Sequence, residues 1–76
     1  MELKENYTIK DILIKLRTKE AYILLKSGKE YFGIIMTVGQ HCVALEQKGD
    51  RSFLDAIILI EDISAVEVQV RDLTTS

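Results

Sequence analysis

Gln40, His41 and Cys42 stand in a row between two apolar runs, and Glu61 and Asp62 stand together near the end of the chain. These are residue types that can move protons, take a metal or lie against a base. A thiol and imidazole acting as nucleophile and base must share a face. His41 and Cys42 are adjacent, and neighbours entering a strand point to opposite faces. Glu61 and Asp62 could form a carboxylate dyad, but neither a glycine-rich phosphate loop nor a metal-ligand cluster accompanies them. One histidine and one cysteine are too few for a zinc site. The expectation is a protein that is not an enzyme and has no metal or cofactor, with Glu61 and Asp62 as turn residues. A lone histidine in such a turn is more often simply solvated. Lys48 and Arg51 flank a later turn, while Lys10, Lys15, Arg17 and Lys19 decorate the first amphipathic segment. A solvated charged face is their plainest reading.

The whole chain limits what can position these groups. With 76 residues there is room for one small domain, and a fold of that size buries only about 60% of its unfolded surface. The single cysteine cannot form an internal disulfide, so association with copies of itself is the remaining common remedy for a marginal core. Ten Lys plus Arg against twelve Asp plus Glu leave a formal charge of -2. That balance carries no global signature of a duplex-DNA or membrane-surface binder, so any nucleic-acid site must be local. The charged start MELKENYTIK has no signal-peptide apolar core, and AIILI, Ala56 to Ile60, is far too short to span a bilayer. A soluble, cytoplasmic protein is expected.

The pattern predicts one helix followed only by strands. Thr8 with Asp11 three residues later makes a capping box. Ile9, Ile12, Leu13 and Leu16 then trace one helical face, and the helix should end near Lys19. Ile14 falls off that stripe, as an exposed residue or a partner contact. Strands are expected at Ala21 to Lys26, Tyr31 to Val38, Cys42 to Gln47, Ser52 to Ile60 and Ala65 to Val70. In the last, Val66, Val68 and Val70 should point inward. Gly28 and Gly49 belong to tight turns, Gly49 where a positive φ is wanted. Glu61 to Ser64 reads as one turn, and residues 72–76 as a frayed tail of a single domain.

One helix and five short strands joined by turns suggest a small, strongly bent sheet closing into a barrel. Gly33 sits inside the apolar run YFGIIMTV. A glycine there marks a sharp bend where a Cβ would collide with a folded-over strand, or else it is loosely tolerated in a flat one.

"LKSGKEYFGII" followed by "VGQHCVALE" resembles the first motif of the Sm-like superfamily, and more closely its bacterial Hfq branch. Gly28 matches the turn glycine, Gly33 the bend glycine, and Ile35 the apolar residue two later. "DISAVEV" resembles the stretch that opens the last Hfq strand. The resemblance covers roughly Thr8 to Val70. It implies a mainly β fold, an N-terminal helix followed by a bent five-stranded antiparallel sheet forming a small open barrel of SH3 type. It also implies homo-oligomeric rings of five to seven subunits, made by pairing the fourth strand of one copy with the fifth of the next. That assembly would use Ile57, Ile58, Leu59, Ile60, Val66 and Val68. A physical argument agrees, because apolar edge strands without proline or lysine are aggregation hazards unless something pairs with them.

Functional residues carry over less completely. The Hfq loop after the second strand presents F-D-Q-[F/Y] to uridines; here Val38, Gly39, Gln40 and His41 stand there, so glutamine is kept and histidine replaces the aromatic. Where Hfq has Y-K-H, this chain has Leu59, Ile60 and Glu61, followed by Asp62, and the phosphate-binding cation is absent. Leu24 takes the place of an adenine-stacking tyrosine, although Tyr22, Tyr31 and Phe32 are close by, as packing residues or as a stacking surface. The RNA-contact candidates are therefore Gln40, His41, Tyr31, Lys48 and Arg51. Two functions follow. One is a ring-forming protein that binds short single-stranded RNA, in RNA-based regulation. The other is an Sm-like scaffold or protein-interaction module that binds no RNA, favoured by the acidic balance and the missing cation.

Overall fold

The computed structural model describes residues 5–69. Helix α1 spans Ile9–Lys15, and its start is the predicted capping box: the Asp11 amide donates to Thr8 Oγ1 at 3.1 Å and the Thr8 amide donates to Asp11 Oδ2 at 3.0 Å. These two bonds satisfy amides that the helix cannot pair internally. Leu13 and Leu16 are buried, and Ile9 and Ile12 pack partly against the same core. Ile14 is exposed, as its place off the stripe implies. The helix stops earlier than the Lys19 expected from periodicity. The Thr18 amide donates to the Ile35 carbonyl at 2.7 Å, and the Ile35 amide to the Lys19 carbonyl at 3.1 Å. Those backbone groups are taken by the sheet before another helical turn can claim them, and Thr18 makes the corner with φ 69°.

Five strands follow: β1 Glu20–Leu25, β2 Glu30–Val38, β3 Cys42–Gln47, β4 Asp55–Leu59 and β5 Ile63–Glu67. They form one antiparallel sheet in the order β4-β3-β2-β1-β5. Strand β2 serves two partners along its length. Its first half pairs with β1 (Tyr22 opposite Phe32, Ala21 opposite Gly33) and its second half with β3 (Ile35 opposite Leu45, Val38 opposite Val43). Gly33 belongs to both ladders, opposite Ala21 on one side and Gln47 on the other. A Cβ at Gly33 would run into the Glu46 carbonyl oxygen and lie 2.8 Å from the Glu46 carbonyl carbon and 2.9 Å from Gln47 Cα. The β3 backbone therefore lies too close to this position to leave room for a side chain.

Alternation along the strands turns Ala21, Ile23, Ile35, Val43, Leu45, Ala56 and Ile58 inward to meet Leu13 and Leu16 of the helix. The sheet is an open barrel: β4 and β5 are its two ends. Gly28 (φ 96°) closes the β1–β2 hairpin, and Gly49 (φ 76°) opens a 3-10 turn, Gly49–Arg51, between β3 and β4. Both adopt the left-handed conformation that glycine takes without a steric cost.

The last two strands differ from the sequence expectation. Strand β4 begins at Asp55 rather than Ser52, because Ser52 and Leu54 donate back to Gly49 and Arg51 and keep that segment in turns. Strand β5 begins at Ile63 rather than Ala65, since the turn between β4 and β5 is only the 3-10 segment Ile60–Asp62. Ile63 is buried in the core instead of lying in that turn. Val66 and Val68 pack partly against the core, as expected; the inward place assigned to Val70 and the tail lie outside the described residues.

Candidate nucleic-acid interface

The β2–β3 connection is short and fastened at both ends. The Gly39 amide donates to the Cys42 carbonyl at 2.8 Å, and the Ile60 amide donates to the His41 carbonyl at 2.8 Å. The first bond closes the loop on itself. The second ties it to the Ile60–Asp62 turn, and the Lys26 amide holds the far side of that turn through the Asp62 carbonyl at 2.8 Å. Gln40 and His41 are exposed on this frame, and so are Glu61 and Asp62. The local arrangement is an amide and an imidazole presented to solvent, with two carboxylates on the adjoining turn. Such a surface can hydrogen-bond and stack with a base, and neither the loop nor the Ile60–Asp62 turn itself carries a lysine or arginine. Cys42 is half-buried at the start of β3 while His41 is in solvent, and among the described residues no cluster of three or more His, Cys, Asp or Glu could hold a metal ion.

The five RNA-contact candidates do not meet. Gln40 and His41 precede β3, while Lys48 and Arg51 follow it. Six residues of strand, about 20 Å, separate the two groups. Tyr31 lies with the second group: it faces Ile23 across β1 and β2, and the Lys48 amide donates to the neighbouring Phe32 carbonyl at 3.0 Å. Two lysines there are already engaged. Lys48 Nζ lies 3.7 Å from Glu20 Oε2, and Lys29 Nζ lies 4.9 Å from the centre of the Tyr31 ring. Arg51 is exposed on the 3-10 turn.

Of the six residues proposed for the oligomer edge, Ile57 and Leu59 project outward, 69% and 45% exposed. Ile58 faces the core, so it can join an edge contact only through its backbone. Ile60, Val66 and Val68 are half-buried against the core. Two further features stand out in the structure. Phe53 is 80% exposed on the segment before β4. Tyr22 and Phe32 stack with ring centres 4.4 Å apart, at one wall of a cleft. That pair could have been found in the sequence, because Tyr22 and Phe32 are equally spaced about Ser27 in the hairpin turn, which puts them opposite each other.

No family profile and no curated protein matches this chain. Solved structures do. The pleiotropic translational regulator Hfq superposes with a TM-score of 0.66 at 22% identity, over 80% of this chain and all of the Hfq chain. The SmAP (LSm) protein from Methanococcus vannielii superposes with a TM-score of 0.66 at 22% identity, over 90% of this chain and all of that one. Capped helix, bend glycine, strand order and superposition agree: the chain has the Sm-like fold shared by Hfq and the archaeal LSm protein.

Proposed function

We propose that this chain assembles into a homo-oligomeric ring and that Gln40 and His41 of each copy bind short single-stranded RNA. The observation that carries the reading is the loop itself. Both side chains are exposed on a backbone fixed by the Gly39–Cys42 and Ile60–His41 hydrogen bonds, so they are presented without a large ordering cost on binding. Assembly is supported by the two unpaired sheet ends and by Ile57 and Leu59, which leave apolar surface on β4 that pairing with β5 of another copy would cover. A ring repeats the Gln40–His41 pair around its opening, and several weak contacts on one strand of RNA then add through effective concentration. Hfq, with which the fold is shared, is a translational regulator, and a role in RNA-based regulation fits this reading.

The acidic turn supports a second reading. Glu61 and Asp62 lie on the turn bonded to His41, and a ring would gather these carboxylates where RNA phosphates must pass. Under that reading the ring is a scaffold for protein partners. Fluorescence anisotropy with labelled U-rich and A-rich oligonucleotides at low and moderate salt separates the two. RNA binding is expected at low salt, with U-rich preferred and affinity falling as salt rises; no binding at low salt leaves the scaffold.

A further inference from the structure

The most exposed large apolar side chain among the described residues is Phe53, on the segment between the Gly49–Arg51 turn and β4. Between the end of α1, strands β1 and β2, and the end of β5 lies a cleft of about 340 Å³, with Leu16, Tyr22, Phe32, Glu67, Val68 and Gln69 among its walls. Tyr22 is stacked on Phe32 yet remains 43% exposed. Strand β3 stands between β4 and the cleft-lining β2 in the sheet order, and at 80% exposure Phe53 does not fill its own cleft.

A second copy can bring the two together. This step rests on the assembly half of the proposed function and not on RNA binding. Every ladder in the sheet is antiparallel, and antiparallel pairs are both commoner and slightly more stable than parallel ones. If β4 of one copy continues that pattern onto β5 of the next, the start of β4 lies beside the end of β5. Phe53 stands two positions before β4 begins, and Glu67, Val68 and Gln69 are the last residue of β5 and the two after it. The exposed ring is thereby delivered to the mouth of the cleft. Charge agrees with this placement. Arg51, two positions before Phe53, would then come near Glu67 on the cleft wall, which also carries Lys19 and the Glu20 that pairs with Lys48.

We propose that Phe53 of one copy seats against Tyr22, Phe32 and Val68 of the next, and that this aromatic anchor holds the subunits together. Aromatic side chains buried in a pocket of the partner are the usual carriers of binding energy at an interface, because they bury much area with little rotamer entropy to lose. The cleft is then a subunit contact and not a ligand pocket.

Light scattering across a dilution series tests the anchor alongside cross-linking. Phe53→Ser removes a side chain that touches little of its own fold, so circular dichroism should be unchanged, while the concentration at half-assembly should rise at least tenfold. In a Cys42→Ser background, Phe53→Cys combined with Val68→Cys should give a ladder of covalent multimers with a short bifunctional maleimide. Either cysteine variant alone should stop at dimers. A wild-type oligomer that Phe53→Ser leaves intact, with no ladder, overturns the anchor while the assembly stands. Protection of Tyr22 by an oligonucleotide in such an oligomer would assign the cleft to RNA and also overturn it. A wild-type monomer overturns the assembly and the anchor together.

Discussion

At Gly33 a hydrogen atom occupies a space that no side chain can share. The close neighbours of a would-be Cβ are backbone atoms of Glu46 and Gln47, which cannot rotate away as a flexible side-chain end could. Relief would have to come from parting β2 and β3 where Gly33 also pairs with Ala21, so both ladders would feel it. Gly33→Val is expected to destabilise the fold by roughly 1 to 3 kcal/mol or more, the usual range for overpacking. Urea denaturation followed by circular dichroism reads this directly, and an unchanged midpoint would mean that β3 does not fold over β2. Gly28 makes a contrast: nothing lies within 4 Å of a Cβ there, and its φ of 96° is the constraint. Gly28→Ala should therefore cost less than Gly33→Val, because only backbone strain opposes it.

Helix α1 is only seven residues long, too short to be stable by propensity, so its cap and its buried face must hold it. Thr8→Ala removes the acceptor for the Asp11 amide and should cost about 1 kcal/mol in thermal or urea unfolding. The reciprocal bond has a pH signature. The Thr8 amide, and then its hydroxyl, hold the Asp11 carboxyl below the usual carboxylate range, with smaller help from Lys10 and Lys15. A carboxyl whose folded pKa is depressed stabilises the fold above the free range near 4, and that stability is lost as the pH falls through the folded value. Asp11→Asn should flatten the acid limb of the stability curve below about pH 5, and an unaltered limb would show that the bond contributes nothing. The cap was legible in the sequence because it is local, fixed by two residue types at one spacing. The bounds of β3 were legible for a similar reason, with a turn on each side of a run whose alternation is clear. The end of α1 and the start of β5 were not, since each is set by a distant partner, and β4 starts late because the Ser52 and Leu54 amides donate back into the preceding turn. Ile35 claims the backbone at Thr18 and Lys19, and β1 claims β5 from Ile63 onward. The candidate site shows the same division. Gln40 and His41 are neighbours in the chain and stay together, whereas β3 carries Lys48 and Arg51 to its other end.

For the whole molecule, the proposed ring predicts that a solution of this 8.7 kDa chain contains something larger than a dimer at micromolar concentration, since β4 and β5 end the sheet. Size-exclusion chromatography with light scattering checks it, and a clean monomer would sink the ring. On such a ring, the balance between stacking and charge decides whether RNA binds. His41→Ala should weaken U-rich RNA by about 1 to 3 kcal/mol per contacted base, the range measured for loss of a stacking side chain. Glu61→Lys should strengthen binding, because it exchanges a repelling carboxylate on the turn bonded to His41 for an ammonium that releases counterions from the RNA. The two variants part company in salt. The charge reversal adds a phosphate contact and should steepen the fall of log affinity with log salt by about 0.7 for single-stranded RNA. Loss of the imidazole, measured at pH 8, should leave that slope nearly where it was. Distance from the site supplies the control: Lys48 lies beyond the far end of β3 and is paired with Glu20, so Lys48→Ala should change neither the affinity for a short U-rich oligonucleotide nor its slope. If the wild type binds nothing at low salt and Glu61→Lys creates no binding, the Gln40–His41 loop is not an RNA site. The carboxylates on the neighbouring turn would then face protein partners.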